Sequence, residues 1–268
     1  MTSLSETIGE PALSSSAETH ATVPPAFGVI AEGDDFIVVE KPPLLLVHPT
    51  KPDGPRTLWS ELAGLLAFEI ANGGQISIVN RLDRETSGLV LVAKTPAAAR
   101  QFGLLMQEQR IAKEYLAIVW GWPTWEQETV NAPLVRQGLH SESPIWLKQA
   151  IHPEGAPAST EFLVEQRFKK KTTAGERFSL VRALPRTGRT HQIRVHLASL
   201  GHPIVGDKIY GPDEQYYLRF IKTGWTSELQ NALLLPRHAL HSARLKVNGA
   251  EEWHSSLPRD LADWLSQE

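Results

Sequence analysis

The sequence predicts an α+β fold in which strands and helices mix without regular alternation. Short runs rich in Val, Ile and Leu, such as FIVVEK at 36–41 and SGLVLVA at 87–93, have the composition of strands. Leucines recur at helical spacing within 57–71, and Thr95 followed by Pro96 is typical of a helix start. No strand–helix unit repeats along the chain, which argues against a Rossmann or barrel fold.

Turn and capping residues bound the elements in the first half of the chain. Pro42 and Pro43 stop the first strand, because proline cannot donate to a strand ladder. The Asn-Gly-Gly sequence at 72–74 ends the first helix. The predicted elements are, in order, a strand at 34–41, a helix at 57–71, a strand at 87–94, a helix at 95–109 and a strand at 113–122.

The second half begins with a segment rich in Pro and Gly, 123–157, which we expect to form irregular hairpins. Ile193, Leu197 and Leu200 lie on one face of a later helix that Gly201 ends. The predicted elements are strands at 158–168 and 177–185 joined by a polar loop, a helix at 190–201, a strand at 238–247 and a helix at 257–267.

Composition places the 268-residue chain among ordinary globular proteins, with 41% hydrophobic and 21% charged residues. The absence of cysteine excludes disulfides, thiolate metal sites and a cysteine nucleophile, and it fits a reducing compartment. No run approaches the roughly 20 apolar residues of a membrane span, and the N-terminus lacks the pattern of a secretory signal. We expect a soluble, cytoplasmic protein with a disordered tail at 1–26 and one folded domain at 27–268.

Charge is distributed unevenly along the chain, although the net charge is only −3. Residues 1–26 carry three acids and no Lys or Arg, whereas 165–194 carries nine Lys or Arg and two acids. This segment is either a basic patch that contacts nucleic acid or a solvated face. Composition alone leaves both interpretations open.

Several common catalytic motifs are missing from the sequence. It contains no G-x-G-x-x-G, no G-x-x-x-x-G-K-[ST], no H-E-x-x-H and no G-x-S-x-G. Dinucleotide-binding, P-loop, zincin and hydrolase-elbow functions therefore lose most of their support.

The stretch NRLDRETSGLVLVAK at 80–94 places Asp83 between Arg81 and Arg84, directly before an apolar strand. Flanking cations would keep a catalytic carboxylate ionised. An aspartate between arginines in a loop is, however, more often part of a structural ion pair. The motif alone does not decide between these two roles.

A second unusual stretch, 185–211, gathers Arg186, Arg189, His191 and Arg194 within nine residues. His191 and Arg194 are three apart and should share a helix face, and arginines in a cleft suit phosphate or carboxylate. The spacing is poor for a metal, so we expect none. The possible ligands considered are His191, His196, His202 and Asp207.

Five segments, in order over about 36 to 247, resemble the RluA-type pseudouridine synthase family. NRLDRETSGLVLVAK is similar to the family pattern H-R-L-D-x-x-T-S-G-L-L-L-x-A-K. The other four are EKPPLLLVHP, KEYLAIVWG, GRTHQIRVHLASLGHPIVGDKIYG and RHALHSARLKV. The resemblance implies the pseudouridine synthase fold: a mixed, mostly antiparallel central sheet with flanking helices and loops around a catalytic cleft.

The family isomerises uridine to pseudouridine within RNA and uses neither a metal nor another cofactor. The resemblance implies that Asp83 is the catalytic carboxylate, which either adds covalently to ribose C1′ or removes the C2′ proton to give a glycal. It implies that Arg194 pairs with Asp83 and that Tyr115 stacks on the target base and assists the final deprotonation. The alternatives are a phosphate-binding or surface arginine and a tyrosine that packs in the core.

The target uridine must leave its stack to be reached. By resemblance, Arg81 takes the vacated space, although it could simply pair with Asp83, and Ile193 lines the pocket. Arg189, His191 and Arg186 are candidate substrate contacts, and the RFKKK run at 167–171 is a weaker one. The expected partner is RNA, either rRNA or tRNA, bound by a monomer.

The sequence departs from the family pattern at two places beside the site. Asn80 replaces the usual His before R-L-D, and Pro43-Leu44 replaces the usual x-Gly pair. Only about 26 non-periodic residues precede the first strand, predicted from Gly28 to Glu40, so we expect no N-terminal S4 RNA-binding module.

Two other functions were weighed against catalysis on RNA. One is an RNA chaperone on the same fold, but it would not need Asp83, Tyr115 and Arg194 together. The other is a glycosidase of free nucleosides, which would require a second acid near Asp83. Glu85 is the nearest acid, but it does not match a catalytic position of the family.

Overall fold

The computed structural model describes residues 26–49, 51, 54–248 and 251–266. The predicted tail at 1–26 therefore lies outside the described residues, apart from Ala26. The prediction of one domain at 27–268 stays a prediction.

Ten of the twelve described strands form one sheet, and the other two pair in a hairpin. The strands are β1 (Gly28–Glu32), β2 (Phe36–Lys41), β3 (Ser77–Ile78), β4 (Ser87–Ala93), β5 (Ile111–Trp120), β6 (Gln127–Asn131), β7 (Leu134–Arg136), β8 (Gln149–Ile151), β9 (Ser159–Lys169), β10 (Arg177–Pro185), β11 (Leu240–Val247) and β12 (Glu251–His254).

Along the large sheet the strands lie in the order β1, β2, β4, β11, β5, β10, β9 and β6, with β12 beside β11 and β3 beside β4. Among the described strand pairs only β4 with β11 is parallel, and one isolated bridge, Leu46 with Thr57, is also parallel. The mostly antiparallel sheet predicted from the family resemblance is confirmed.

Seven α-helices are described, and most of them flank this sheet or its loops. A short 3₁₀ turn at Gln137–Leu139 joins β7 to β8. The helices are α1 (Leu58–Leu65), α2 (Ala67–Ala71), α3 (Pro96–Gln107), α4 (Gln192–Ser199), α5 (Gln215–Thr223), α6 (Ser227–Leu233) and α7 (Arg259–Ser266).

Helix α3 begins where its sequence predicts. The Thr95 hydroxyl accepts a hydrogen bond of 3.1 Å from the Ala98 amide, and Pro96 is the first helical residue. The helix predicted at 190–201 starts later, at Gln192, because His191 has a left-handed backbone with φ of 56°.

Three parts of the fold differ from the sequence prediction. The strand predicted over Gly28–Glu40 is a hairpin, β1 and β2, turned where the Gly33 amide bonds the Phe36 carbonyl at 2.9 Å. The helix predicted at 57–71 divides at Leu66 into α1 and α2. Helices α5 and α6 and the short strands β3 and β12 were not predicted.

Strand β4 is the buried centre of the fold, since all seven of its residues are buried. Val90 and Val92 belong to one hydrophobic cluster and Leu89 and Leu91 to another, so the strand packs on both faces. The loop that carries Asp83 runs directly into this strand and therefore starts from a fixed anchor.

Gly88, near the start of β4, allows β11 to approach closely. Its φ is 109°, and a Cβ placed there would lie 2.2 Å from the Ser242 carbonyl oxygen. Only glycine fits, since both the backbone angle and the space exclude a side chain.

Candidate active site

A cavity of about 580 Å³ lies between the loop that precedes β4 and the segment that enters α4. Asp83, Tyr115, Ile193 and Arg194 all line it. The first comes from the loop, the second from β5 and the last two from α4. The sheet and the helix thus bring together residues that are up to 111 positions apart.

The centre of the cavity holds a buried arginine between two carboxylates. The Arg194 Nη1 donates to Asp83 Oδ2 at 2.8 Å, while its Nε and Nη2 donate to the two oxygens of Asp207 at 2.6 and 2.9 Å. Asp207 is wholly buried and also accepts from the Ile209 and Tyr210 amides. Asp207 thereby fixes the guanidinium, which in turn orients Asp83.

Asp83 is ionised although the site is partly closed to water. Burial raises its pKa, but the positive groups around it outweigh burial and lower the pKa below the ordinary 3.8. His191 is neutral near pH 7, because burial and Arg194 lower its pKa to about 4. The lasting counter-charge at neutral pH is therefore Arg194.

His191 lies between the Asp83 carboxylate and the Tyr210 hydroxyl. Its Nε2 lies 3.9 Å from Asp83 Oδ2, and its Nδ1 lies 2.8 Å from the Tyr210 hydroxyl. That hydroxyl also accepts from the Gln149 amide at 2.8 Å. The tyrosine hydrogen is then free to go to Nδ1, which leaves the imidazole proton on Nε2, facing Asp83.

Tyr115 is buried with 7% of its surface exposed. Burial, together with the Asp83 charge, raises its pKa to about 12 even though it shares a hydrogen bond with Ser242. The phenol is therefore protonated at neutral pH, with its ring against the cavity.

The loop that carries Asp83 is held by side chains on both sides. Asn80, at the start of the loop, is bonded to β4: its side-chain amide donates to the Leu89 carbonyl at 3.1 Å, and its side-chain oxygen accepts from the Leu91 amide at 2.8 Å. The buried Lys41 ammonium donates to the Pro42, Leu45 and Arg84 carbonyls at 2.8 to 3.1 Å. The Asn80 departure thus supplies two loop contacts.

Arg81 and Arg84 do not pair with Asp83, contrary to the local ion pair that the sequence suggested. Arg81 is exposed at the cavity wall and, in the part of the chain that the structure describes, forms no ion pair. Arg84 Nε donates to the Leu44 carbonyl at 3.3 Å. The cation that pairs with Asp83 comes from α4 instead.

The other predicted contacts divide into two groups. Ile193, His191 and Arg189 line the cavity, and Arg189 is exposed with its Nε on the Pro157 carbonyl at 3.1 Å. Arg186 lies outside the lining, with its Nη2 3.8 Å from a Glu161 oxygen. The 167–171 run lies at the far end of β9 and β10 from the cavity, because Phe168 pairs with Phe178 and Phe178 with Trp120.

Sequence reasoning missed the structural importance of Asp207 and Tyr210. Asp207 was considered only as a metal ligand, and Tyr210 was not considered. Both lie in GDKIYG at 206–211, within the segment that resembles the family signature. Placement in that signature was the available signal, but their contacts with Arg194 and His191 depend on the fold.

The four residues weighed as metal ligands are used by other contacts. His196 bonds Thr160 and the Ala132 carbonyl, His202 bonds the Trp120 carbonyl, and Asp207 holds Arg194. Among the described residues the one group with suitable donor spacing is His140, His152 and Glu154, beside the β7–β8 hairpin and outside the cavity lining.

No helix among the described residues is long and apolar enough to cross a membrane.

Solved structures identify the class of this fold. The human RNA Pseudouridylate Synthase Domain Containing 1 is 25% identical, with a TM-score of 0.62 over 90% of this chain and 94% of that one. The human RNA Pseudouridylate Synthase Domain Containing 4, at 24% identity, shares the fold with a TM-score of 0.67, over 89% of this chain and 91% of that one. The molecule has the pseudouridine synthase fold, and its cavity carries the aspartate and arginine implied by the resemblance.

The family model for RNA pseudouridylate synthase matches residues 35–199, and the chain belongs to this RluA-type family. The ribosomal large subunit pseudouridine synthase D of Salmonella typhimurium is 36% identical over 250 residues, covering 88% of this chain and 69% of that protein. The synthase D of Escherichia coli K12 is 34% identical with the same coverage. The protein is an isomerase that converts uridine to pseudouridine in RNA.

Proposed function

We propose that this synthase modifies uridines of ribosomal large-subunit RNA, with Asp83 as the catalytic carboxylate. The substrate class is supported by the names of the relatives, which are large-subunit enzymes at 34 to 36% identity. The single observation that supports the role of Asp83 is its carboxylate in the cavity, 28% exposed and held by Arg194 at 2.8 Å. The competing substrate class is tRNA.

Asp83 acts on the ribose of a uridine that has turned out of its stack into the cavity, either by adding to C1′ or by removing the C2′ proton. Both the covalent and the glycal route require the ionised carboxylate that Arg194 maintains. Asp207 is a positioning residue, because it touches Arg194 and not the reacting atoms. The neutral His191 directs its Nε2 proton towards the same carboxylate.

Tyr115 stacks on the target base, consistent with its position in the cavity wall. Its phenol keeps its proton at neutral pH, since its pKa is about 12. Stacking is therefore a better supported role than accepting a proton in the last step. Ile193 forms the apolar side of the same pocket.

Arg81 is placed to enter the space that the uridine leaves, because it is exposed at the cavity wall and unpaired in the described part of the chain. Arg189 and Arg186 are candidate contacts to the RNA backbone nearby. We further propose that the enzyme is a monomer in the cytoplasm, since Asp83, Arg194 and Asp207 complete the bonded centre within one chain and the substrate is made there. We propose that it needs no metal or other cofactor.

Neither alternative function gains support from the site. Glu85, the nearest acid in the sequence, accepts from Lys208 at 2.7 Å and from the His238 amide at 3.1 Å. Asp207, which shares Arg194 with Asp83, is wholly buried, and neither acid lines the cavity. A nucleoside glycosidase would lack its second carboxylate. A chaperone without catalysis would have no need of an ionised carboxylate in this cavity.

The first experiment uses large-subunit rRNA and tRNA transcribed with tritium at uracil C5. Pseudouridine formation displaces that hydrogen, so released tritium measures turnover. We expect release from the rRNA with wild type and none with Asp83→Asn, which keeps the shape of the side chain and its place beside Arg194.

The variant should still bind the rRNA, because Asp83 is used in the reaction and not for affinity. Release by Asp83→Asn at the wild-type rate would overturn the assigned role. Release from tRNA alone would overturn the substrate class and leave the role of Asp83 intact.

A further inference from the structure

Lys113 is a buried cation that the reaction described above does not use. It lies on β5 two residues before Tyr115, so both side chains project from the same face of the strand. Both line the cavity, and only 7% of Lys113 is exposed. A buried lysine is rare in proteins unless it is paired.

The other buried lysines of the described residues have full sets of partners. Lys41 donates to three carbonyls, Lys94 pairs with Glu32 and Glu69, and Lys208 pairs with Glu85 and a carbonyl. Lys113 has one acceptor, the Thr187 carbonyl at a long 3.3 Å, and no carboxylate within ion-pair distance among the described residues.

The surroundings of Lys113 are made for an anion from outside the chain. Burial lowers the pKa of its ammonium to about 8, so it is still mostly charged near pH 7, and no carboxylate offsets that cost. Its Nζ lies beside Gly188, 3.6 Å from the position that a Cβ there would take. Because residue 188 is a glycine, no side chain from this position covers the ammonium.

We propose that Lys113 binds a phosphate of the RNA strand next to the target uridine and positions that nucleotide over Asp83. The inference rests on the proposed function, since it places the RNA in this cavity. Phosphate is the anion that every nucleotide brings, and a lysine ammonium binds it as a point charge. The ion pair would form only when RNA enters.

The test compares Lys113→Met with Lys113→Arg and with Lys222→Met, a matched change at an exposed lysine of α5. Lys113→Met should lower kcat/KM about tenfold or more, as expected for the loss of a charged hydrogen bond. The slope of the logarithm of the binding constant for a large-subunit rRNA transcript against the logarithm of salt concentration (the salt slope) should become shallower by about 1, as for one lost phosphate contact. Lys113→Arg should keep the slope, and Lys222→Met should keep both values.

Thermal unfolding separates this role from a structural one. Lys113→Met removes a buried charge with little compensation, so it should unfold at the same temperature as wild type or higher. A clear loss of stability with an unchanged salt slope would show that Lys113 supports only the Thr187 loop and would overturn the proposal.

A thermodynamic cycle tests the phosphate directly. Three hairpin RNAs contain the modified uridine: one unmodified, one with a neutral methylphosphonate 5′ of the uridine and one with it 3′ of the uridine. On one of the two methylphosphonate RNAs, Lys113→Met should cause no further loss of kcat/KM. Equal losses on all three RNAs would overturn the proposal and point to a contact with the base.

The two proposals fail in different ways. No tritium release by wild type would overturn the proposed function, and the salt slope would still test Lys113. Release by wild type with an unchanged slope and rate in Lys113→Met would overturn only the inference.

Discussion

The electrostatic state of Asp83 depends on groups from distant parts of the chain. Burial raises the pKa of its carboxyl group, whereas His191, Arg194 and His238 lower it, and of these Arg194 also donates a hydrogen bond to the carboxylate. Because the pKa lies below 3.8, the carboxylate loses its charge only in strong acid. Protonation of Asp83 should therefore cause no fall in the wild-type rate above about pH 5; the fall that it causes at lower pH is the acid limb of the pH profile.

Arg194→Gln should change both the rate and its pH dependence. Without the charge and the hydrogen bond of Arg194, only His191 and His238 oppose the effect of burial. The pKa of Asp83 should therefore rise, and the fall of kcat on acidification should move to higher pH. The maximal rate should fall on the order of 10²-fold, as for the loss of one preorganised charged group. The measurement is single-turnover tritium release between pH 4.5 and 9.

Arg189→Gln is the matched control, because this exposed arginine lines the cavity without bonding Asp83. It should raise KM and leave the acid limb in place. An unchanged acid limb in Arg194→Gln would show that Arg194 does not set the charge of Asp83.

At the scale of elements, the turn after β2 carries strain that the sequence makes visible. Leu44 occupies the place where the family pattern has glycine, and its φ is 69°. A left-handed backbone costs a non-glycine residue about 1–2 kcal/mol. The same turn supplies the Leu45 and Leu44 carbonyls that bond Lys41 and Arg84, so the strain lies beside the catalytic loop.

Leu44→Gly should leave the free energy of unfolding unchanged or raise it by up to about 1 kcal/mol. Relief of the strain is partly offset by the backbone entropy of glycine, roughly 0.5–1 kcal/mol. Little burial is lost, since Leu44 is 51% exposed. Urea unfolding measures the change.

Leu44→Val provides the contrast, because a β-branched residue is a true outlier at this φ. It should be less stable than wild type by about 1 kcal/mol. Equal destabilisation by Gly and Val would mean that the leucine side chain, and not the backbone angle, matters at this turn.

Elements were predictable where their signals are local. Thr95 and Pro96 mark the start of α3 because a cap is a contact between near neighbours. Helices α5 and α6 were missed although α5 is amphipathic, because they lie between the family segments that end at Gly211 and begin again at Arg237, where no element was predicted. The division of the 57–71 helix depends on the backbone conformation of Leu66, and the late start of α4 depends on that of His191.

At the scale of the whole molecule, the proposal that no metal takes part can be tested directly. The candidate ligands considered in the sequence hold other partners, and the His140, His152 and Glu154 group lies outside the cavity lining. Wild-type turnover should be unchanged in excess EDTA. A loss that added zinc or magnesium restores would overturn the cofactor proposal.

His140→Ala is the matched control for that experiment. It removes one donor of the exposed group without touching the cavity, so its turnover should equal wild type. A metal effect that disappeared in this variant would assign the effect to the hairpin group.

The sequence by itself determined the fold class from strand composition and caps, and the family from the resemblance of five motifs in a fixed order over about 36 to 247. It did not determine the whole centre, because Asp207 and Tyr210 were missed. It also placed Asp83, Tyr115 and Arg194 together by resemblance, and the structure lines one cavity with them.

Only the tertiary structure decided which charges meet. Sequence neighbours suggested that Arg81 or Arg84 pairs with Asp83, but the loop turns both away and α4 brings Arg194 across the sheet. The role of Asp207, and the lack of a carboxylate partner for Lys113 among the described residues, likewise could not be predicted from the sequence. Electrostatic energy depends on distance through space and on burial, and both are fixed only when β4, β5 and α4 pack together.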